Sequence, residues 1–398
     1  MTTAQKQRAP ALRFRDQDGR DYSRWEGKLI RDICEINPST GGLPNQFTYI
    51  DLDSVYRGML IKENKISKTS APSRAQRILK ENDVLFQTVR PYQQNNFFFN
   101  LSGDYVASTG YAQLRAKSSP LFLYYLLHEQ KFVRAVLARC TGTSYPAINS
   151  SDIGAIRIYL PDEKEQQKIA AFLSAVDTKI KQLNSKKSLL EQYKKGMMQK
   201  LFSQEIRFKD EEGREYPDWD EKQFSTIAGK VRSFHNPASD KNNYACIELD
   251  SLSPDTGQLL KTFDSSKQKS IKTRFRAGDV LFGKLRPYLR KFYLAQFDGV
   301  CTSEIWVLRH VSVPGAYLYQ LVQSHLFGRV ANIQSGTKMP RSDWNIVSQS
   351  VFSIPSDCNE QQKIADFLSA IDRKIELVAG QIDQARSFKQ GLLQQMFI

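Results

Sequence analysis

Residues 165–202 read EQQKIAAFLSAVDTKIKQLNSKKSLLEQYKKGMMQKLF, and residues 360–397 read EQQKIADFLSAIDRKIELVAGQIDQARSFKQGLLQQMF. The offset is a constant 195 residues with no gap, and 13 of the first 16 aligned positions are identical. Only Ala171/Asp366, Val176/Ile371 and Thr178/Arg373 differ there. Shared helix composition does not produce identity on this scale, so the chain is two copies of one unit.

Both copies predict helix. Apolar residues step by four and three through Ile169, Leu173, Val176, Ile180 and Leu183, then Leu190, Met197 and Leu201. The second copy runs Ile364, Leu368, Ile371, Ile375, Val378, Ile382, Ala385, Leu392 and Met396. A 3.5-residue period is the seam of a coiled coil. The expected helix-pair interface therefore comprises Ile169, Leu173, Val176, Ile180 and Leu183 of the first helix and Ile364, Leu368, Ile371, Ile375 and Val378 of the second. Lys187, Lys194 and Lys389 interrupt the seam and should loosen its later part. Asp162-x-x-Glu165 and Asp357-x-x-Glu360, just after Pro161 and Pro355, read as Asp-headed capping boxes. At 1.5 Å per residue each helix would be roughly 57 Å long. A lone amphipathic helix packed on its own body would need neither this length, nor the strict heptad, nor a second copy.

The repeat also reaches upstream of each globular body. Arg13-Phe14-x-Asp16-x-x-Gly19-Arg20-x-Tyr22-x-x-Trp25 matches Arg207-Phe208-x-Asp210-x-x-Gly213-Arg214-x-Tyr216-x-x-Trp219. Asp and Gly at this spacing predict a turn pinned by the flanking aromatics. Between lead-in and helix, each body carries short β-rich runs: 47–52, 83–89, 97–101 and 112–115, then 245–249, 279–285, 292–297 and 305–309. Helical patches follow at 120–139 and 316–333. Likeness between the bodies is patchy. Asp83-Val84-Leu85-Phe86 with Arg90-Pro91-Tyr92 returns as Asp279-Val280-Leu281-Phe282 with Arg286-Pro287-Tyr288. Thr141-Gly142-Thr143-x-x-Pro146 returns as Ser335-Gly336-Thr337-x-x-Pro340. A shared frame with diverged loops suits two binding modules with different targets.

The chain of 398 residues carries 57 basic and 42 acidic residues, a net charge of +15. Such an excess suits a polyanionic partner, most often nucleic acid. Residues 267–291 hold nine basic residues against one acid, Asp279. Lys and Arg suit phosphate oxygens, while Arg and Gln have the fork geometry that reads guanine and adenine edges. The DNA-contact candidates in the first body are Lys65, Lys68, Arg74, Arg90, Tyr92, Gln93 and Gln94, with Thr143, Ser144 and Tyr145 from a second loop. Those in the second body are Lys269, Lys272, Arg274, Lys284, Arg286, Tyr288, Arg290 and Lys291, with Thr337, Lys338 and Arg341. Any single lysine here reads more simply as a solvated charge; the set, repeated in both halves, favours DNA. Arg90-Pro91-Tyr92 reads equally as a structural turn with a buried tyrosine.

Catalytic patterns fail on inspection. Gly278-x4-Gly283-Lys284 lacks the Ser or Thr of a Walker A loop and spans a strand. Pro161-Asp162 with Asp177-Thr178-Lys179 imitates a nuclease pattern, but its second part lies in the heptad helix. Asp162 reads as a cap and Asp177 as a solvated or interface charge. Asn37-Pro38-Ser39 and Asn236-Pro237-Ala238 are not the motif that holds a flipped adenine. Five scattered cysteines and four histidines argue against a zinc site and suit a reduced, cytoplasmic chain. No run approaches a membrane span, and the polar start reads as no signal peptide.

On these residues, above all the two Glu-Gln-Gln-Lys-Ile-Ala-x-Phe-Leu-Ser-Ala helices and the paired lead-ins, the chain resembles the specificity subunit of a Type I restriction-modification system. The resemblance implies an α+β chain: two mixed α/β target recognition domains separated by two long helices forming an antiparallel coiled coil, with an internal pseudo-two-fold repeat. The corresponding divisions are 1–160 and 205–355 for the domains and 161–204 and 356–398 for the helices. It implies a non-catalytic, sequence-specific DNA-binding subunit that reads one half of a bipartite asymmetric site with each domain, the helices fixing the gap. The implied partners are double-stranded DNA, two methyltransferase subunits and, where present, restriction subunits. No cofactor is expected on this chain; S-adenosylmethionine belongs to the methyltransferase partner, ATP and Mg to the restriction partner. The rival from another class is a coiled-coil scaffold that binds protein without specific DNA recognition.

Overall fold

The computed structural model describes residues 10–39, 41–240, 242–333 and 339–398. Its longest elements are two helices, Glu163–Phe202 and Cys358–Met396. Each has an Asp cap: the Lys164 amide donates to Asp162 Oδ1 at 2.9 Å, and the Asn359 amide to Asp357 Oδ1 at 2.7 Å. The reciprocal half of the expected capping box is corrected. Glu165 and Glu360 do not turn back to their caps; both carboxylates are fully buried and each takes an arginine.

That arginine comes from the lead-in. Arg13 donates through Nε at 3.0 Å and Nη2 at 2.6 Å to the two oxygens of Glu165. Arg207 does the same to Glu360 at 3.1 and 2.8 Å. A bidentate, charge-assisted pair satisfies a buried carboxylate better than one backbone amide does. The rest of the repeated motif completes the grip. Gln166 and Gln361 cap the carbonyls of Pro161 and Pro355. Lys168 and Lys363 donate to the carbonyls of Arg15 and Lys209. Phe14 meets Phe172 edge-on at 5.7 Å, and Phe208 meets Phe367 at 5.6 Å. The identity of the two helix starts is thus the identity of a docking surface for the lead-in.

The chain divides into two compact units, one holding residues up to Leu183 together with Gln381–Ile398, the other Asn184–Gly380. In the first unit, Glu26–Leu29 pairs antiparallel with Arg157–Leu160. One sheet runs in the order Asn64–Ser67, Gln46–Ile50, Tyr105–Ser108, Ala75–Ile78. The other runs Cys34–Ile36, Tyr111–Ala116, Val84–Gln87, Phe97–Phe98. In the second unit, Trp219–Gln223 pairs with Val351–Pro355. Its sheets run Phe263–Asp264, Ala245–Ile247, Gly299–Cys301, Lys272–Phe275, Phe234–His235, and Ala228–Lys230, Ile305–His310, Val280–Gly283, Phe292–Leu294. The order is the same in both units, down to the parallel pair Gln46–Ile50 with Tyr105–Ser108 and Ala245–Ile247 with Gly299–Cys301. The second unit adds the edge strand Phe234–His235. The repeat therefore extends through bodies whose sequences have diverged.

Within the first unit, Ile169 and Leu173 share a core with Trp25, Phe122, Leu392, Met396 and Phe397. Within the second, Ile364, Leu368 and Ile371 share one with Phe224, Tyr317, Met198, Leu201 and Phe202. The start of one helix lies with the end of the other in each case, so the pair is antiparallel. The early seam residues face the body as well as the partner helix, and burying each such side chain stabilises by about 1.5–3 kcal/mol. Val176 and Ile375 are half-buried at the edge of these cores, while Leu183 and Val378 are buried. Ile180 is half-buried.

Candidate nucleic-acid interface

Each body builds the same loop. Strand Val84–Gln87 follows Asp83, which is fully buried and takes a bidentate pair from Arg115 at 2.9 and 2.8 Å. Asp279 ahead of Val280–Gly283 takes the same pair from Arg309 at 2.8 and 2.7 Å. These repeated acids anchor strands. Past the strand the backbone turns sharply. Arg90 and Arg286 have φ of 55° and 52°, and the 3₁₀ turns Pro91–Gln93 and Pro287–Leu289 end on Gln94 and Arg290, with φ of 52° and 49°. Four non-glycine residues in the left-handed region are a concentration of backbone strain at matched positions.

The second repeated motif closes over this turn. The Arg90 amide donates to the Pro146 carbonyl at 2.7 Å, and the Arg286 amide to the Pro340 carbonyl at 2.8 Å. In the first body Arg90, Tyr92, Gln93, Gln94, Thr143, Ser144 and Tyr145 are thereby brought into one loop pair. The Arg90 guanidinium lies 4.2 Å from the Tyr145 ring centre. Tyr92 and Tyr145 are 51% and 65% exposed, which removes the buried-tyrosine reading of the turn. Gln93 is held at its side-chain oxygen by Gln87 Nε2, at 2.8 Å. In the second body Arg286, Tyr288 and Arg341 gather likewise, with Tyr288 53% exposed. Thr337 and Lys338 lie outside the described residues.

The remaining basic candidates divide by what they already touch. Lys65, Lys68, Arg74 and Lys269 are exposed. Arg74 reaches the loop through its backbone: its carbonyl takes the Thr109 amide, and the next carbonyl, of Gly110, takes the amide of Thr88. Lys272 corrects the sequence expectation. It is 2% exposed, and its ammonium donates to Ser270 Oγ at 2.7 Å and Gln268 Oε1 at 3.3 Å, so it serves the fold. Arg274 is paired with Asp240 at 2.6 Å, and Arg341 with Glu304 at 3.2 Å. Arg290 is tied to Asp255 and donates to the Gln323 carbonyl, and Lys291 donates to the Leu249 carbonyl at 2.8 Å. These four are less free to reach phosphate than the sequence implied.

Two basic residues that the sequence reading did not single out, Lys230 and Arg232, lie near the candidate Lys284. Burial first, then Arg232 and Lys284, push the Lys230 ammonium below its ordinary pKa. Lys230 also lies 5.3 Å from the Trp344 ring centre. Asp343 opposes that shift. The i, i+2 spacing of Lys230 and Arg232 at a strand end was the available sign. Among the described residues no group of three or more His, Cys, Asp or Glu side chains is placed to hold a metal ion. No described helix is long and apolar enough to cross a membrane.

The profile of the Type I restriction modification DNA specificity domain matches this chain twice, over residues 22–192 and 221–386. The chain is 22% identical over 375 residues to the Type I restriction enzyme MjaVIII specificity subunit of Methanocaldococcus jannaschii, covering 88% of this chain and 85% of that one. It is 24% identical over 307 residues to the EcoDI specificity subunit of Escherichia coli, covering 69% and 67%. Among solved structures, the S subunit of a Type I restriction-modification system from M. genitalium superposes with a TM-score of 0.58 at 13% identity, over 98% of this chain and 99% of that one. A chain solved for the assembly and conformational transition of the type I R-M system gives 0.57 at 22% identity, over 94% and 97%. Two matched domains, the repeated fold and the antiparallel helices agree: the chain belongs to the family of Type I restriction-modification DNA specificity subunits.

Proposed function

We propose that this chain reads a bipartite, asymmetric site in double-stranded DNA, one half with each unit, and directs partner adenine-N6 methyltransferase and restriction subunits to it. The observation that carries this reading is the repeated loop pair. Each body presents a strained, basic, tyrosine-bearing turn buttressed by a second loop, with Arg and Tyr shared at Arg90/Arg286 and Tyr92/Tyr288 and different side chains around them: Gln93, Gln94 and Tyr145 in one, Leu289, Arg290, Met339 and Arg341 in the other. Identical placement with different chemistry gives two half-sites that need not form a palindrome. The chain takes no cofactor of its own; S-adenosylmethionine is bound by the methyltransferase partners and ATP with Mg by the restriction partner. Two partner copies fit the internal repeat. Tyr193 and Phe388, 195 residues apart, are 51% and 55% exposed on the two long helices and offer equivalent docking points. The site of action is the cytoplasm, where the chromosome is reached.

The test is co-expression with methyltransferase subunits and mapping of N6-methyladenine across the host genome. The expected motif has two short unlike half-sites separated by unread bases. Methylation at a continuous or palindromic motif, or by this chain alone, would overturn the reading.

A further inference from the structure

Two of the three lysines expected to loosen the helix seam, Lys194 and Lys389, are among its best-partnered residues. In the second unit Lys194 donates to Asp372 Oδ1 and to Gln323 Oε1, both at 2.6 Å. Gln320 Nε2 donates to Asp372 Oδ2 at 3.1 Å. In the first unit Lys389 meets Asp177 at 2.7 Å, and Tyr125 donates its hydroxyl to Asp177 Oδ2 at 2.9 Å. Every member has its counterpart at the 195-residue offset: Asp177 and Asp372, Lys194 and Lys389, Tyr125 and Gln320, His128 and Gln323. Each cluster joins one helix, the other helix and a body.

The clusters also lead to the recognition loops. The Gln323 carbonyl, in the residue whose side chain holds Lys194, takes Nη2 of Arg290 at 2.8 Å, and Arg290 closes the turn that begins at Arg286. In the first unit half-buried His128 occupies the place of Gln323. Its Nδ1 donates to the Tyr124 carbonyl at 2.8 Å, and Asn96 Nδ2 lies 3.5 Å from Nε2. Asn96 in turn accepts from the Gln87 amide, and Gln87 holds Gln93 in the turn.

We propose that Lys194 and Lys389 are positioning residues for DNA recognition, each holding the recognition loop of the body it packs against at a fixed setting on the helix pair. This rests on the reading that these loops contact DNA. A buried polar contact at a seam position specifies register rather than adding stability. In the second unit the same contact continues through Gln323 and Arg290 to the base of the loop, and in the first unit Lys389 and Asp177 hold Tyr125, beside the Tyr124 carbonyl that His128 binds, so seam register and loop placement are set together. Lys389 lies on the second repeat's helix but serves the first body, and Lys194 on the first repeat's helix serves the second.

The test uses the full chain with its methyltransferase subunits on a randomised DNA library, with methylated sites sequenced. Lys194→Met should weaken specific binding by about tenfold, relative to non-specific binding, and relax the half-site read by the second body alone. Lys389→Met should relax the other half-site alone, and Lys194→Arg should restore most of the discrimination. The double variant Lys194→Met with Asp372→Leu removes both charges of the pair and leaves no carboxylate without its cation; with its folding confirmed by melting, it should relax the same half-site as Lys194→Met. An unchanged half-site in that folded double variant, or equal relaxation of both half-sites, would overturn the proposal. Arg286→Ala with Tyr288→Ala separates the two readings. If the loop variant relaxes its half-site and Lys194→Met does not, the coupling alone fails. If the loop variant changes nothing either, the reading of the loop fails first.

Discussion

Arg90 and Arg286 hold backbone angles that glycine adopts more readily, at a cost of about 1 kcal/mol each. Strain at a surface turn persists when the side chain there is needed. Arg286→Gly should therefore leave stability unchanged or raise it by up to about 1 kcal/mol in denaturant melts, while specific DNA affinity falls. His128 gives a second prediction. Burial, with help from Lys389, lowers its pKa to about 4. The folded value lies below the unfolded one, so the unfolded chain takes up the proton first. Stability is full above pH 6.5 and falls by up to about 3 kcal/mol as pH drops toward 4. His128→Gln, which copies Gln323 at the matching position, should flatten that part of the pH profile in melts compared at pH 7.5 and 4.5. A third concerns the buried clamp: Arg13→Met should cost about 3–5 kcal/mol by stranding the Glu165 carboxylate. Adding Glu165→Leu should recover most of it. At this scale the sequence was partly legible. The Arg-Pro-Tyr turn was visible because proline and repetition mark it. The burial of Lys272 was not, because a lysine's fate depends on whether a neighbouring turn, here Gln268 to Ser270, folds over it.

The long helices were the most legible elements, since a seam of period 3.5 and an Asp cap are local facts. Their partners were less so. Lys194 and Lys389 looked like flaws because the acids that receive them, Asp372 and Asp177, lie elsewhere in the chain. The helix pair as a ruler gives a prediction of its own. Inserting one heptad in the middle of each helix keeps the seam in phase and should lengthen the unread gap in the methylation motif, leaving both half-sites intact. A changed half-site with an unchanged gap would count against it. The strands were hard to place from sequence: most are two to six residues long, and their order depends on pairings between distant segments such as Gln46–Ile50 with Tyr105–Ser108.

For the molecule as a whole, a net charge of +15 predicts strong salt dependence. Six or more phosphate contacts would give a slope of log K against log salt of about −5 or steeper. A slope near zero would favour the protein-binding scaffold. Tyr193→Ala and Phe388→Ala should each remove one methyltransferase copy from the complex, readable by mass in solution, and leave DNA affinity of the chain alone unchanged. The doubled architecture was legible from the repeats; the shared sheet order of the diverged bodies was not, because it resides in topology. The paired clamps carry one last consequence. Arg13 with Glu165 and Arg207 with Glu360 grip in the same way, and Phe397 on Phe122 is matched by Phe202 on Tyr317. A segment bounded by such fastenings carries at its ends the contacts that either position makes. On the proposed function, exchanging such a segment between chains of this family should swap one half-site at a stroke and leave the other half-site unchanged.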